Sequence, residues 1–468
     1  MEVKIIAILL IFIINSISSQ DINFNKIKAF GEIRRLAGSY DINIGTLHKF
    51  ASHKNLLIRI QVARNSRCPR YVLERLSREI YINVKETVAL NPRTPIYILI
   101  KLSNEKNEYI RNNLAYNPNI PLSVLMKLAR DSSYYVRKTI VEHPNVSKEI
   151  IKILIEDIDE EVRLLARATN PDASEEELAE LSKNKESFVR SQVAKNKKTP
   201  LVILYELAKD EQLHVRCDVA KCTNNSDLLE LLSNDKNDLV LEEVANNKYS
   251  SQKTLIKLIR GESYNVKEIA IKNPNTTLVF LEQLAKEGSN KHGYDICYTI
   301  MERPDVSKEI IKILLKDREK KVRFAAKAID SDTSETDLIE LSKTDEEFIK
   351  ILVIENEKTP FSALYWLAMD EKFIIRRHVA KKAKDAKLLE FLSHDEDVIV
   401  VEEVANNIHC PEEILARLAK DSRYDIRWAV SMNPSTPKDV LLKEFNSDHD
   451  EIKENVKNNL KNRLQKKK

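Results

Sequence analysis

Glycine is scarce in this sequence, with 6 residues among 468. Nucleotide-binding loops, tight hairpins and βα turns use glycine because it adopts positive φ angles without strain. The composition therefore leaves almost no room for such loops. The signatures of common catalytic and phosphate-binding sites, GxGxxG, GxxxxGK(S/T), GxSxG and HExxH, are also absent from the sequence. We predict that the protein is not an enzyme and holds no cofactor.

Cysteine and histidine are few and scattered. The 5 cysteines are odd in number and form no CxxC pair, so they indicate neither a disulfide framework nor a metal site. The 9 histidines are dispersed, and the spacing of His48 and His53 is wrong for one face of a helix. The sequence therefore predicts no metal-binding site.

An excess of charge of one sign is missing as well. Lys and Arg number 76 and Asp and Glu 72, which gives a formal net charge of +4. A nearly balanced chain of this size is not a polyanion-coating protein, although a local basic stripe remains compatible with it. Apolar residues make up 43% and charged residues 32%, a composition typical of folded chains.

One apolar run stands near the N-terminus, from Ile5 to Ile14, with Lys4 before it and Ser16 and Ser18 after it. Ten residues are too few for a membrane span, which needs about 20. The pattern predicts a signal peptide over residues 1–19, hence a secreted or exported protein, followed by an N-terminal cap over 20–40. The alternatives are a mis-set start codon or a buried cap helix, which would leave the protein cytoplasmic. No stable membrane insertion of the mature chain is expected.

A repeated frame, TPxxxLxxLAxDxxxxVRxxVAxNP, dominates residues 41–460. It recurs in about sixteen units, mostly 26 residues apart. The position that ends each unit falls at Asn65, Asn91, Asn117, His143, Asn170, Asn196, Cys222, Asn247, Asn273, Arg303, Asp330, Asn356, Lys382, Asn407, Asn433 and Asn459.

Each unit is predicted to form two short helices. Thr94 and Pro95 are good N-cap and first helical residues, and Ser174 with Glu177 forms a capping-box pattern. The second helix carries an aliphatic face, and Asn-Pro ends it because proline cannot continue a helix. One unit buries too little apolar surface to fold alone, so neighbours must cover both its faces. The predicted fold class is an all-α solenoid with an extended inner surface.

A longer period is superimposed on the repeat. Residues 147–276 align without a gap to residues 307–436, shifted by 160, which indicates that a block of six units was duplicated. The unit that ends at Arg303 has about four extra residues between Gly288 and Gly293, relative to the regular unit. We predict a loop there and expect any local functional feature at that loop.

The frame resembles the leucine-rich repeat variant family of helical repeats. The resemblance covers Ile42 to Asn459 and is most complete in the stretch beginning at Leu415, LARLAKDSRYDIRWAVSMNPSTP. It implies a right-handed superhelix of paired short helices, which alternate between α and 3₁₀ in that family. The unit is slightly longer here, which predicts a fully α first helix, nearer to HEAT-type repeats. One member type of the family holds an iron–sulfur cluster on clustered N-terminal cysteines, and this sequence has no such cluster.

Basic residues recur after the first apolar residue of successive second helices, and we call this set the basic ladder. Its candidate binding members are Arg111, Arg137, Arg163, Arg190, Arg216, Lys267, Arg323, Lys350, Arg376 and Arg427. The functional interpretation is a cationic stripe for a phosphate backbone or an acidic protein. The structural interpretation, which we favour, pairs each base with an acid of its own or an adjacent unit, for instance Asp131 with Arg137.

Aromatic residues at Tyr134, Tyr264, Phe373 and Tyr424 precede the aliphatic face of four second helices. They could stack on bases, but such aromatics more often fill the seam between repeats. The basic tail, residues 461–468, is expected to be a solvated end.

These observations predict a non-catalytic scaffold that presents an extended groove to a protein partner, whose identity the sequence does not give. The alternative is a nucleic-acid-binding helical-repeat protein, similar to DNA-repair solenoids, with the basic ladder on its inner face. An enzyme would require a cleft with paired titratable groups, for which the Gly288–Gly293 insert is the candidate place.

Overall fold

The computed structural model describes residues 44–289, 293–444 and 450–465. The predicted signal peptide over 1–19 and the predicted cap over 20–40 lie outside the described residues. Within those residues the secondary structure comprises 32 helices and no strand, which confirms the all-α solenoid. The chain forms two compact units: unit 1 comprises residues up to 150 together with those from 383 onward, and unit 2 comprises residues 151–382.

The helices follow one another with short turns. Those in the first segment of unit 1 are α1 (Ile44–Phe50), α2 (Leu56–Arg64), α3 (Arg70–Ser77), α4 (Ile82–Leu90), α5 (Ile96–Leu102), α6 (Glu108–Ala115), α7 (Leu122–Leu128) and α8 (Tyr134–Glu142). Helix α9 (Lys148–Ile155) begins in unit 1 and ends in unit 2.

Unit 2 continues the pattern. Its helices are α10 (Glu160–Thr169), α11 (Glu175–Leu181), α12 (Ser187–Lys195), α13 (Leu201–Leu207), α14 (Leu213–Cys222), α15 (Ser226–Leu232), α16 (Asp238–Asn246), α17 (Gln252–Ile259), α18 (Tyr264–Lys272), α19 (Leu278–Glu287), α20 (Tyr294–Met301), α21 (Lys308–Leu314), α22 (Lys320–Ile329), α23 (Glu335–Leu341), α24 (Glu347–Glu355), α25 (Phe361–Leu367) and α26 (Phe373–Lys382).

The second segment of unit 1 completes the described chain. Its helices are α27 (Ala386–Leu392), α28 (Val398–Asn406), α29 (Glu412–Leu418), α30 (Tyr424–Met432), α31 (Lys438–Glu444) and α32 (Asp450–Gln465).

The regular repeats pair a short first helix with a slightly longer second helix, as α13 and α14 illustrate. In the repeat with the insert the first helix, α19, is the longer one. Helix α13 has seven residues in α conformation, which confirms the predicted α first helix. It buries Ile203 and Leu207, and α14 buries Val215 and Val219. These side chains recur at i, i+4 spacing, so one face of each helix lies in the core.

The first helices begin one residue later than the sequence predicts where a Thr-Pro pair precedes them. Pro95, not Thr94, occupies the N-cap position of α5, and its side chain makes no capping hydrogen bond. The Thr94 hydroxyl instead donates to the main-chain carbonyl of Val88 in the preceding helix, at 2.5 Å. This hydroxyl joins the two helices, a role that local capping rules do not anticipate.

One of the two hydrogen bonds of the capping box predicted at Ser174 is present. The Glu177 amide donates to the Ser174 hydroxyl at 3.1 Å. The Glu177 carboxylate accepts a hydrogen bond from Arg167 at 2.6 Å.

The asparagines that end the units form an asparagine ladder along the chain. Asn117 is fully buried, and its Nδ2 donates to the carbonyls of Ala89 and Asn91 in the preceding repeat, at 2.6 and 2.9 Å. Its Oδ1 accepts from the Asn119 amide at 3.0 Å. The amide side chain thus fixes its own turn and ties it to the turn before. The same type of contact to the preceding repeat is made by Asn91, Asn196, Asn247, Asn273, Asn356, Asn407, Asn433 and Asn459.

At two of the unit ends that lack asparagine, another side chain makes the contact to the preceding repeat. His143 reaches the Asn117 carbonyl through Nε2, at 3.2 Å, and accepts from the Asn145 amide at Nδ1. Arg303 donates to the carbonyls of Ile271 and Asn273, at 2.7 and 2.9 Å. Because the unit that ends at Arg303 carries the insert, these carbonyls lie 32 and 30 residues earlier, compared with 28 and 26 for Asn117.

The insert itself lies between α19 and α20. Gly288 and Gly293 have positive φ angles of 71° and 82°, conformations that L side chains rarely adopt. The Ser289 amide and hydroxyl both donate to the Asp317 carboxylate. Residues 290–292 lie outside the described residues, so the expectation of a functional feature in this loop stays a prediction.

Unit 1 brings together two segments that are about 330 residues apart in sequence. The guanidinium of Arg67 lies 3.2 Å from the Asp397 carboxylate, and that of Arg93 lies 3.0 Å from the Asp425 carboxylate. The Arg70 guanidinium stacks over the Trp428 ring, 3.9 Å from its centroid. Both ion pairs are largely buried, so removing one partner would leave an uncompensated charge.

Candidate interaction surfaces

The basic ladder joins consecutive repeats through a fixed arrangement, which Arg111 of α6 illustrates. Its Nη1 donates to the main-chain carbonyls of Glu105 and Lys106, at 2.8 and 2.9 Å. Its Nε and Nη2 donate to the two carboxylate oxygens of Asp131, at 2.6 and 2.8 Å. The guanidinium is therefore anchored in its own repeat by one nitrogen and holds the next repeat with the other two.

The same ion pair sets the charge state of the acid. Burial raises the pKa of Asp131, but hydrogen bonds from Arg111 and from the Ser133 amide outweigh it, so that the pKa is lowered. The carboxylate therefore remains ionised at neutral pH, and the arginine is neutralised within the chain.

Other ladder members repeat this contact with an acid of the following repeat. Arg190 pairs with Asp210 at 2.6 Å and Arg216 with Asp235 at 2.7 Å. Lys350 contacts Asp370 at 2.6 Å. These members hold repeats together and are not a free cationic surface.

The pair suggested by the sequence, Asp131 with Arg137, makes a different contact. Arg137 Nη1 donates to the main-chain carbonyl of Asp131 at 2.7 Å, whereas the Asp131 carboxylate pairs with Arg111. The sequence shows the period of bases and acids, but it does not show whether a base reaches forward or back.

The remaining ladder residues also touch the turn before their helix. Arg163, Arg323, Arg376 and Arg427 each donate through Nη1 to the carbonyl six residues earlier, at 2.6–2.8 Å. Lys267 is half-buried on α18. The structure therefore places the ladder on one register of successive second helices, in both units.

The aromatic residues predicted beside the ladder have varied surroundings. Tyr134 is half-buried against Tyr135, with ring centroids 3.9 Å apart. Tyr264 is exposed, and Phe373 is half-buried. The side chain of Tyr424 lies outside the described residues. The exposure of these side chains thus differs from one repeat to another, and their stacking on bases stays a prediction.

Helix α25 and the turn after it expose four large apolar side chains, Phe361, Tyr365, Trp366 and Met369, which we call the Trp366 patch. Trp366 is 54% exposed. The rings of Phe361 and Tyr365 stack, with centroids 5.8 Å apart. Exposed apolar side chains that lie together are candidates for an interaction surface.

Comparison of the duplicated blocks shows which residues of this patch differ between them. The first block has the charged residues Glu206 and Lys209, both exposed, at the positions of Trp366 and Met369. Both helices bury the equivalent leucines, Leu207 and Leu367. They also differ at three further positions, where Leu201, Val202 and Ile203 correspond to Phe361, Ser362 and Ala363, and Leu201 and Val202 are themselves exposed. Sequence reasoning missed the patch, although the shift of 160 residues places Trp366 opposite a glutamate.

The described residues contain no group of three or more His, Cys, Asp or Glu side chains arranged to hold a metal ion. None of the described helices is long and apolar enough to cross a membrane. The five cysteines are free thiols, and burial raises the pKa of Cys297 and of Cys410 to about 12. Burial also raises the pKa of Glu402, whose carboxylate lies 3.7 Å from Arg93 in unit 1.

The solved structures that are similar to this chain include helical repeat proteins. No protein-family model and no curated protein sequence matches the chain. Among solved structures, a leucine-rich repeat variant aligns at 20% identity over 47% of this chain and 87% of its own, with a TM-score of 0.25.

Two longer repeat proteins align over nearly the whole chain. Yeast importin-beta (Kap95p) aligns at 12% identity over 96% of this chain and 72% of its own, with a TM-score of 0.27. The UNC-45 chaperone aligns at 12% identity over 94% and 68%, with a TM-score of 0.31. Likeness at this level carries no argument about function, and the fold stands on the helices and hydrogen bonds described above.

Proposed function

We propose that the protein is a non-catalytic repeat scaffold that binds a protein partner, and that the Trp366 patch is a principal contact. The observation that carries this proposal is the exposure of Phe361, Tyr365, Trp366 and Met369 together on one helix and its turn. Aromatic residues and methionine are enriched in protein interfaces, and tryptophan and tyrosine are enriched among the residues that dominate binding energy. In the first block the charged residues Glu206 and Lys209 take the places of Trp366 and Met369, so the repeat does not need these two side chains for folding.

Contacts of the basic ladder favour a protein partner over a nucleic acid. A phosphate-binding stripe requires contiguous bases that are not neutralised within the chain. Arg111, Arg190, Arg216 and Lys350 each contact a carboxylate of the next repeat. The ladder is therefore interrupted as a cationic surface.

Photo-crosslinking can test the proposal site by site. Trp366 is replaced by p-benzoylphenylalanine in one variant and Glu206, its equivalent in the first block, in a matched variant. Irradiation in an extract of the source organism should yield a discrete protein adduct at position 366 and none at position 206.

The captured protein is then purified, and its affinity is measured for the wild type, Trp366→Glu and Glu206→Gln. We expect Trp366→Glu to weaken binding by about tenfold or more, because a buried tryptophan at an interface commonly contributes at least 2 kcal/mol. Glu206→Gln should bind as the wild type does. Equal affinity of all three proteins, or adducts only with nucleic acid, would refute the proposal.

We further propose that the chain is exported, on the basis of the apolar segment between Ile5 and Ile14. N-terminal sequencing of the protein isolated from its source tests this directly. A mature N-terminus shortly after Ser18 is expected, and an intact Met1 would contradict it.

A further inference from the structure

In the regular basic ladder, one aspartate performs two functions. Asp131 Oδ1 accepts from the Ser133 amide at 2.9 Å, which closes the turn, and the same carboxylate binds Arg111. Asp210 does the same with the Gln212 amide, at 2.9 Å, and with Arg190. The turn residue thus supplies both a local cap and a charge for the preceding repeat.

At two turns of unit 2 the residue keeps the cap but has no charge. Asn184 Oδ1 accepts from the Glu186 amide at 2.9 Å. Thr344 Oγ1 accepts from the Glu346 amide at 3.3 Å. The geometry of both turns is therefore retained without a carboxylate.

The arginines that would bind these missing carboxylates are still held in place. Arg163 Nη1 donates to the carbonyls of Asp157 and Ile158, at 2.7 and 2.9 Å. Arg323 Nη1 donates to the carbonyls of Asp317 and Arg318, both at 2.7 Å. Both side chains are half-buried. The charge of Arg323 contributes to the lowered pKa of Asp317, but neither guanidinium forms an ion pair with a carboxylate of the described residues. Each therefore has the anchor that Arg111 has, with Nε and Nη2 left for an external acceptor.

Another turn shows what happens where the ladder is not used. Leu241 stands at the basic position, and Gly261 stands at the turn position of the next repeat. Base and acid are replaced together there, which avoids an uncompensated charge. In the second block Val401 stands at the basic position but Asp421 remains at the turn, and its carboxylate binds Arg423 instead. At Arg163 and Arg323 the reverse holds, since the base is kept and the acid is lost.

The two arginines occupy equivalent positions in the duplicated blocks, 160 residues apart. Their surroundings have diverged, since Glu160 and Glu161 of the first block correspond to Lys320 and Lys321 of the second. The combination of an arginine and an uncharged turn residue is nevertheless present in both. An exposed lysine, Lys183 or Lys343, directly precedes each uncharged turn residue and adds positive charge.

We propose that Arg163 and Arg323 are two binding sites for Asp or Glu side chains of an acidic segment in the protein partner. The inference rests on the proposed scaffold function and specifies the chemistry of the partner. A carboxylate is the ligand because the same guanidinium edge, anchored in the same way, binds the Asp131 carboxylate through two hydrogen bonds in a regular repeat. Partner and scaffold would complete the ladder between them.

The test uses the full-length protein and fluorescently labelled poly-L-glutamate, followed by fluorescence anisotropy. The informative variant is Asn184→Asp with Thr344→Asp, because aspartate at these turns should occupy each guanidinium from within the chain. The matched control, Asn224→Asp with Thr336→Asp, adds the same charge at exposed positions away from these turns. A second variant, Arg163→Lys with Arg323→Lys, keeps the charge and removes the two-nitrogen edge.

We expect the wild type and the control pair to bind poly-L-glutamate alike. The aspartate pair and the lysine pair should each bind about tenfold more weakly or worse, the loss expected for a charge-assisted two-point contact. Circular dichroism should show native helix content in every variant. Unchanged binding in the aspartate pair, or in the lysine pair, would overturn the proposal.

Labelled oligothymidylate provides the remaining comparison. If it binds the wild type as tightly as poly-L-glutamate does, and the aspartate pair abolishes that binding, the ligand is phosphate and the proposal is wrong. Failure of this inference would leave crosslinking at position 366 unaffected, whereas failure of the scaffold function would remove the adduct at that position. The two can therefore be distinguished.

Discussion

Replacing Asn117 by alanine tests the asparagine ladder at a fully buried position. The substitution removes two hydrogen bonds to the carbonyls of Ala89 and Asn91 and one from the Asn119 amide. A buried hydrogen bond contributes about 1 kcal/mol net, and its unsatisfied partners add a desolvation penalty. We therefore expect Asn117→Ala to lower the free energy of unfolding by about 3 kcal/mol.

The chain offers two controls for this experiment. Asn117→His reproduces the residue found at His143, which keeps one contact to the preceding repeat and one to its own turn, so we expect a loss of about 1 kcal/mol. Asn119→Ala removes an exposed hydrogen bond to the Pro92 carbonyl and should cost less than about 1 kcal/mol.

Urea unfolding followed by circular dichroism gives the stability, and amide hydrogen exchange over residues 89–119 gives its local component. The wild type should protect these amides more strongly than Asn117→Ala does. If Asn117→Ala is no more destabilising than Asn119→Ala, the ladder does not hold adjacent repeats together and the reasoning is refuted.

Other contacts make further predictions. The pKa of Asp131 is lowered in the folded protein, so its pair with Arg111 stabilises the fold above about pH 4, and this contribution is lost as the pH falls through the folded pKa. Arg111→Gln should therefore flatten the decline of the urea midpoint below that pH. An unchanged pH profile would contradict this. Iodoacetamide should modify the exposed Cys222 in the native protein. Mass spectrometry should detect modification of the buried thiols of Cys68, Cys297 and Cys410 only after unfolding. Arg93→Gln should destabilise unit 1 by about 3 kcal/mol, because Asp425 becomes a buried charge without its arginine. Adding Asp425→Asn should recover part of the lost stability in urea titrations. If the double variant recovers none, the ion pair does not stabilise the fold.

The repeat and its helices follow from sequence because they depend on local rules. Aliphatic side chains at i, i+4 spacing predict buried faces, and Val136 and Ile140 are both fully buried as that pattern requires. Serine caps and the Asn-Pro ends mark the helix boundaries to within a residue, and the shift from Thr94 to Pro95 is of that size. A strict period also shows where each unit ends.

Contacts between repeats are harder to predict, because period alone does not specify partners. Asparagine at the end of each unit is visible in the sequence, but its hydrogen bonds to carbonyls 26 and 28 residues earlier depend on how repeats stack. For the same reason, the sequence does not determine whether Arg111 binds an acid of the following repeat or of the preceding one. The meeting of Arg67 with Asp397 depends on the geometry accumulated over about 330 residues, which no local pattern contains.

The candidate site was partly accessible from the duplication. Aligning the two blocks shows that Trp366 replaces Glu206 and that Asn184 and Thr344 stand where other repeats have aspartate. Exposure of Trp366 could not be inferred in the same way, because an aromatic residue in a first helix could equally fill the core. In the structure Trp366 directly precedes the buried Leu367, so its side chain is rotated by about 100° from that residue, toward solvent.

Acrylamide quenching of Trp366 fluorescence is the most direct test of the scaffold hypothesis. The chain has 2 tryptophans, so Trp428→Phe leaves Trp366 as the only tryptophan emitter. Acrylamide should quench this emission strongly in the free protein, because the side chain is 54% exposed. With a saturating amount of the protein captured at position 366, we expect a blue-shifted emission and a much smaller quenching constant. Unchanged quenching in the complex would contradict it.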